Sequence, residues 1–284
     1  QQVVGLQRLE HRDACPHDYS ALLPCYRASH MTKLVYIGGY GHSGSTLLEY
    51  LLTGCTELVA CGEVASVIRD RLKKKQCTCG RRSEACPIWS QVLSADAPLS
   101  EKTHEALTLA LLARAGKRYD LMVDSTKTAS GHASAPFGLR RALGKDFLLV
   151  HLVRDPRAVA WSAIKKTERR KMTVNRPLYC ARVALAWSAA NLACEIFGRL
   201  YPKQYLRLRY EDFVAAPRET VERILQRVSP GAKWHPETLG VTDNRHQLYG
   251  NRMRGKPLVL ADVKQDRAWE TEMPASYRSL VSPL

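Results

Sequence analysis

The sequence lacks several features that would place it in a common functional class. No apolar run is long enough for a membrane span, and internal repeats and low-complexity tracts are absent. No DNA- or RNA-binding motif occurs, and aromatic residues, only 7% of the chain, do not interleave with basic ones. Acidic residues are few, with 27 Asp and Glu against 43 Lys and Arg, giving a net charge of +16. We therefore expect anionic ligands or acidic acceptors, with no nucleic-acid partner and no transmembrane segment.

Length and composition suit a globular protein. The 284 residues and 45% hydrophobic content allow one large domain with a sizeable core. Residues 1–30 are polar and differ from the rest, so we interpret them as an N-terminal extension and residues 31–284 as a single domain. The nine cysteines, an odd number, fit a reducing compartment at least as well as an oxidising one. We expect a cytoplasmic location.

The most informative stretch is a glycine-rich loop between a strand and a helix. Leu34–Ile37 is apolar and predicts a buried strand, and Leu47–Leu52 predicts the start of a helix. The nine residues between Gly38 and Thr46 hold four glycines and three hydroxyl side chains. Loop amides and a helix N-terminus favour a phosphate there, and a tight structural turn is the alternative. Ser45 occupies the position of the lysine in nucleotide-triphosphate loops, which argues against ATP hydrolysis.

Strands alternate with helices along the rest of the chain. Further strands are predicted at Glu57–Ala60, Leu121–Asp124, Phe147–Val153 and Tyr205–Arg209. Helices are predicted at Glu101–Gly116, Leu178–Leu200 (with Trp187 buried) and from Pro217 to Val228. This alternation predicts an α/β fold, a three-layer sandwich around a mostly parallel central sheet.

Polar residues follow several of these strands. Glu63, Lys127 and Arg154 each come just after a predicted strand end, where α/β proteins place reactive groups, although each could be a surface residue. Ser162 lies two turns into the helix that Pro156 opens, so it and Arg154 can address one anionic group. Basic runs at Arg69–Lys75 and Lys165–Lys171, and the polar loop Tyr249–Lys256, either border that group or are solvated surface.

A cysteine cluster stands apart from these elements. Cys77, Cys79 and Cys86 lie within ten residues, one ligand short of a structural zinc site, and no histidine follows at the usual spacing. A disulfide, free thiols and a metal site remain open. We assign no residue to a metal site on this basis.

Several motifs together resemble those of sulfotransferases that use 3′-phosphoadenosine 5′-phosphosulfate (PAPS). Gly41–Leu48 is similar to their 5′-phosphosulfate loop, and Arg154 with Ser162, eight residues apart, is similar to their 3′-phosphate pair. Cys61-Gly62-Glu63 resembles a segment of tyrosylprotein sulfotransferases. Other pieces resemble bacterial sulfotransferases: Asp124–Lys127, Tyr210–Phe213 and Asn251–Gly255. The resemblance covers roughly residues 33–260.

The resemblance implies a P-loop-like sulfotransferase fold, a function and a set of residue roles. PAPS would donate a sulfuryl group to a hydroxyl acceptor (a natural product, carbohydrate, lipid or peptide tyrosine), with Glu63 as general base and no metal required. His42 and Lys127 would stabilise charge on the transferring group. The implied PAPS-binding residues are Gly41, His42, Ser43, Gly44, Ser45, Thr46, Arg154, Ser162, Tyr210 and Arg254.

Two residues depart from the family pattern, and two other functions remain open. His42 replaces the usual arginine or lysine, so it must be protonated or act as a neutral donor. Leu47 replaces the adenine-stacking tryptophan of the small-molecule branch. The alternatives are a P-loop kinase or triphosphatase, in which Asp124 would hold magnesium, and a non-catalytic protein that binds acidic partners.

Overall fold

A parallel five-stranded sheet forms the centre of the molecule in a computed structural model that describes residues 32–69, 76–93, 103–129, 131–240 and 243–281. Its strands are β1 (Lys33–Gly38), β2 (Leu58–Ala60), β3 (Leu121–Asp124), β4 (Phe147–Val153) and β5 (Tyr205–Arg209). The order across the sheet is β2-β3-β1-β4-β5. Val35 of the central strand lies opposite Val123 of β3 and Leu148 of β4.

Helices connect the strands, as parallel pairing requires. Those of the described residues are α1 (Ser45–Leu52), α2 (Val64–Arg69), α3 (Ser90–Leu93), α4 (His104–Ala115), α5 (Ala135–Leu143), α6 (Pro156–Arg169), α7 (Arg176–Leu200), α8 (Tyr210–Ala215), α9 (Pro217–Val228), α10 (Ala268–Glu272) and α11 (Ala275–Val281). Short 3-10 turns include Ser83–Ala85 and Arg252–Gly255.

The core lies on both faces of the sheet. Leu34 and Tyr36 of β1 face one buried cluster, whereas Val35 and Ile37 face the other. Successive side chains of a strand point to opposite faces of the sheet, so the uninterrupted apolar run of β1 is buried on both faces. The predicted three-layer α/β architecture with a parallel central sheet is confirmed.

Element boundaries differ from the predictions in small ways. The helix predicted from Glu101 begins at His104, because the Thr103 hydroxyl accepts a hydrogen bond from the Ala106 amide and caps it. The strand predicted at Glu57–Ala60 begins at Leu58. The extension over residues 1–30, with Cys15 and Cys25, lies outside the described residues, as do positions 70–75 of the first basic run.

Helix α7 is the longest described element. By length and composition alone it is apolar enough to cross a membrane, contrary to the expectation from the sequence, but core helices of soluble proteins pass the same test. Its buried side contributes Phe197 to the core, and its other side exposes Leu185 and Leu192. Trp187 is half-buried rather than buried, and its indole N–H donates to the Arg154 carbonyl at 3.1 Å.

Candidate functional site

The candidate residues gather at the carboxyl edge of the sheet, where the loops after β1, β3 and β4 meet. Two hydrogen bonds join the first two loops: the Gly39 amide donates to the Thr128 hydroxyl and the Thr128 amide donates to the Gly39 carbonyl, both at 3.1 Å. Ligands of open α/β sheets bind at this edge.

The loop after β1 has the geometry of an anion site. Gly44 has a φ of 92°, and a β-carbon there would lie 2.6 Å from the Tyr210 ring, so glycine is required. Helix α1 begins at Ser45 without a side-chain cap, which leaves its first amides free to bind a ligand. The Ser43 hydroxyl is buried and has no hydrogen-bond partner among the described residues. A ligand oxygen would satisfy it.

Arg154 follows β4 and lies against this loop. Its side chain is only 6% exposed, and Nη1 donates to the His42 carbonyl at 3.0 Å. The guanidinium carbon lies 4.3 Å from the centre of the Tyr210 ring, a cation–π distance. Nη2 pairs with Asp266 at 3.1 Å, whereas Nε is buried without a partner in the described chain. A fixed cation with a spare donor therefore borders the loop.

A cavity of about 160 Å³ opens beside Arg154. Ser162 also lines it, and its Oγ lies 3.0 Å from Nδ1 of His42. The charged residues of the lining are Arg154, Lys165, Arg169 and Asp266. Because three are basic and one is acidic, the cavity suits an anion. The structure thus brings Arg154, Ser162 and the glycine-rich loop to one place.

Glu63 and Lys127 form an ion pair with 2.5 Å between Oε1 and Nζ. Glu63 stands just before α2, whose first amides donate to Asp124, the last residue of β3, and to Thr126 in the loop after it. The Ser66 hydroxyl donates to the other Glu63 oxygen at 3.1 Å. Burial alone would raise the pKa of Glu63, but the charge and hydrogen bond of Lys127 outweigh it and lower the pKa. Glu63 is therefore a carboxylate at neutral pH.

His42 is neutral at neutral pH. Burial, followed by the charges of Lys166, Lys127 and Arg154, lowers its pKa to about 4. His42 and Lys127 also have positive φ values of 68° and 74°, an uncommon conformation outside glycine. Such strain is frequent at functional sites. Of the two states left open by the sequence, the structure favours a neutral hydrogen-bonding group at this position.

Two residues considered from the sequence have other partners. Asp124 is fully buried; one oxygen lies 2.7 Å from Nε2 of His104 and the other accepts from the Thr126 amide at 2.8 Å. Its carboxylate is thus occupied by the protein rather than turned toward a magnesium ion. The Arg254 guanidinium donates to the Gly250 carbonyl at 3.1 Å, and no described contact links it to Arg154. Its phosphate-binding role stays a prediction.

Two residues near the site, Glu49 and Asp266, were missed by the sequence reasoning. Glu49 of α1 is buried and accepts hydrogen bonds from the Gly62 amide and the Ser125 hydroxyl, both at 2.7 Å; a lone acid inside a leucine-rich helix was the available signal. Lys166 belongs to the basic run that the sequence analysis placed either beside the anionic group or on the solvated surface. It is exposed and follows Ser162 by four residues, so it shares that face of α6. No local signal marks Asp266.

The cysteine cluster also differs from expectation. All seven described cysteines are free, so the disulfide interpretation of Cys77, Cys79 and Cys86 is not supported. The local sequence lacks a histidine, but the fold brings His246 to the cluster. A ring nitrogen of His246 and the three sulfurs all lie within 4.8 Å of one another.

Comparison with known proteins agrees with this architecture. The model described as "Sulfotransferase family" matches residues 35–235. The chain belongs to the sulfotransferase family. Among solved structures, a sulfotransferase domain from the curacin biosynthetic pathway has 18% identity and a TM-score of 0.53, with coverage of 89% of this chain and 96% of that one. Sulfotransferase STF1 from Mycobacterium tuberculosis H37Rv has 14% identity and a TM-score of 0.47, covering 74% and 72%.

No curated protein matches this sulfotransferase. At 18% identity the curacin-pathway domain supports the fold alone, and the family match establishes the class of transferase. The resemblance predicted from the loop and from Arg154 and Ser162 is confirmed at the level of the family.

Proposed function

We propose that this sulfotransferase moves a sulfuryl group from PAPS to a hydroxyl acceptor. One observation carries the proposal: His42 is part of the glycine-rich loop and also contacts Arg154 and Ser162, so the two candidate anion-binding regions are adjacent. Its carbonyl accepts from Arg154 and its ring contacts Ser162, both at 3.0 Å, while its backbone belongs to the loop that leads into α1. PAPS has a 3′-phosphate and a 5′-phosphosulfate, and so offers one anionic group for each side of this residue.

Each anionic group has its own donors. Ser43, Ser45, Thr46 and the first amides of α1 would hold the 5′-phosphate, and the open surroundings of Gly41 allow close approach. Arg154 and Ser162 would hold the 3′-phosphate through charged and neutral donors.

Tyr210 would act indirectly, because its ring packs close to both the Gly44 backbone and the Arg154 guanidinium. Arg254 would assist Arg154 only after exchanging its bond to Gly250.

The transfer itself needs a base and a cation. The acceptor oxygen would form a bond to sulfur as the bond between sulfur and the bridging oxygen breaks, leaving 3′,5′-diphosphoadenosine. Glu63, already a carboxylate, would accept the acceptor proton. Lys127, which lies 2.5 Å from that carboxylate, would stabilise charge on the leaving oxygen, with neutral His42 as a further donor.

The kinase or triphosphatase alternative is less well supported. Ser45 stands where a lysine would contact the β- and γ-phosphates. Asp124, the expected magnesium ligand, is buried and bonded to His104 and Thr126.

Calorimetry with two nucleotides separates the candidates. We expect 3′,5′-diphosphoadenosine to bind without magnesium and more tightly than ATP, and we expect labelled PAPS to transfer its sulfuryl group to a member of an acceptor panel. ATP binding that needs magnesium, with no binding of 3′,5′-diphosphoadenosine, would support the kinase class instead. A basic surface without a nucleotide site would bind neither, and its polyanion binding would weaken steeply with salt.

A further inference from the structure

Four metal-ligating side chains meet away from the candidate active site. The Sγ atoms of Cys77, Cys79 and Cys86 and a ring nitrogen of His246 all lie within 4.8 Å of one another. The Cys77 and Cys86 sulfurs are 3.6 Å apart, and the Cys86 sulfur lies 3.2 Å from Nδ1 of His246. A disulfide requires sulfurs about 2.05 Å apart, so these thiols are not bonded to each other.

The backbone presents the cysteines in a tight turn. Gln76 and Arg82 form an antiparallel bridge, and between them the Cys77 amide donates to the Arg81 carbonyl at 2.8 Å. Gly80 has a φ of 82° and its amide donates to the Cys77 carbonyl at 3.0 Å, so the chain reverses directly after Cys79. The geometry of this turn, and not side-chain packing alone, places the Cys77 and Cys79 side chains on the same side of the cluster.

His246 is oriented for ligation from the opposite side. Its Nε2 lies 3.2 Å from the Asp243 carbonyl, which fixes the proton on Nε2 and leaves the Nδ1 lone pair facing the sulfurs. Its amide donates to the Ala60 carbonyl at 2.8 Å, and its carbonyl accepts from the indole of Trp89. The two backbone bonds fix the position of the residue, and the ring cannot turn away from the sulfurs without breaking its contact with Asp243.

We propose that Cys77, Cys79, Cys86 and His246 bind one structural Zn²⁺ ion. Three thiolates and one imidazole are a preferred zinc ligand set. Tetrahedral geometry with zinc–sulfur bonds of about 2.3 Å places sulfurs about 3.8 Å apart, close to the separation of the Cys77 and Cys86 sulfurs. The four side chains fill every position of such a site, three of them buried, so the ion has no place for substrate.

The proposed ion would hold the segment behind Glu63 in place. It would link the Cys77–Cys86 segment to residues 244–249, which border the Glu63 turn. The Glu63 amide lies 3.4 Å from the Tyr249 carbonyl, and a β-carbon on Gly62 would lie 2.5 Å from the same oxygen. The zinc proposal does not depend on PAPS, because it concerns the stability of this segment and not the reaction.

Zinc content tests the proposal directly. The full chain is purified under reducing conditions without chelators, and its zinc is measured by mass spectrometry against protein concentration. We expect about one zinc ion per chain. Cys86→Ser and His246→Ala should reduce this to below about one fifth, whereas Cys55→Ala and Cys180→Ala, which remove buried cysteines elsewhere, should not change it.

A second measurement serves if the ligand variants do not fold. Folded wild-type protein is treated with a mercurial reagent in the presence of a zinc-sensitive dye, and release of about one equivalent with loss of thermal stability supports the site. Wild-type protein that holds less than about one tenth of an equivalent and takes up none from added Zn²⁺ overturns it. So does a native disulfide among Cys77, Cys79 and Cys86 found by peptide mapping.

Discussion

Arg154 and Asp266 should change nucleotide affinity in opposite directions. The Arg154 guanidinium is almost fully buried and pairs with Asp266, whose side chain is 52% exposed. A bound 3′-phosphate would compete with that carboxylate for the same guanidinium. Removing the cation should therefore weaken binding of 3′,5′-diphosphoadenosine, and removing the competing charge should strengthen it.

The magnitudes follow from the number and exposure of the contacts. Arg154→Ala would remove two charge-assisted hydrogen bonds to the 3′-phosphate, each contributing about 1.5 kcal/mol. The loss of binding free energy is therefore about 3 kcal/mol, or roughly 150-fold weaker binding. An ion pair with one exposed partner is worth up to about 1 kcal/mol, so Asp266→Asn should tighten binding by no more than about fivefold. Adenosine 5′-monophosphate lacks the 3′-phosphate, so its affinity should change by less than about threefold in either variant.

The assay is titration calorimetry of both nucleotides at one fixed ionic strength. Adenosine 5′-monophosphate is the internal control, because Arg154→Ala also removes the donor to the His42 carbonyl and could damage the loop. Asp212→Asn removes the same charge at a more exposed position and should have no effect. Equal losses for both nucleotides in Arg154→Ala, or weaker 3′,5′-diphosphoadenosine binding in Asp266→Asn, would refute a 3′-phosphate site here.

Four further predictions concern titratable groups. Glu63→Gln should reduce turnover by at least about 100-fold and keep 3′,5′-diphosphoadenosine binding; unchanged turnover would remove Glu63 as the base. Lys127→Met should move the acidic limb of the pH–rate profile upward, because Lys127 lowers the pKa of Glu63. The pKa of His42 is about 4, so His42 should not titrate near pH 6.5. An inflection of kcat/KM near pH 6.5 that disappears in His42→Asn would contradict this. Burial raises the pKa of Glu49 from 4.5 to about 7, so the stability of the fold should fall as the pH rises between these values. Glu49→Gln should therefore raise the free energy of unfolding, measured in urea, by about 3 kcal/mol at pH 8 but by little at pH 4.5.

Local patterns were sufficient to predict the elements that carry the loop. The apolar run of β1, the glycines after it and the leucines of α1 are adjacent in sequence, so their order predicts a strand, an anion loop and a helix. Asp155 before Pro156 likewise predicts the start of α6, where the Asp155 carboxylate accepts from the Arg157 amide at 2.8 Å. These features depend on neighbours a few residues away.

Contacts made only by the tertiary fold could not be predicted in the same way. Arg154 meets Asp266 across 112 residues, and Cys86 meets His246 across 160. The second case explains why the local search left the cysteine cluster one ligand short. Glu49 is different, because its place within a buried helix was visible in the sequence; only its partner, the Gly62 amide, required the fold.

The departure from the family pattern at His42 is explained by the charges around it. Lys166, Lys127 and Arg154 all act to lower the pKa of His42, so a lysine or arginine there would add a fixed charge to an already cationic group. A neutral imidazole avoids that repulsion and still contacts Ser162. In the proposed mechanism Lys127 is then the main cation available to the transferring group. Its ion pair with Glu63 would couple the charge of the proposed base to the residue proposed to stabilise the leaving oxygen.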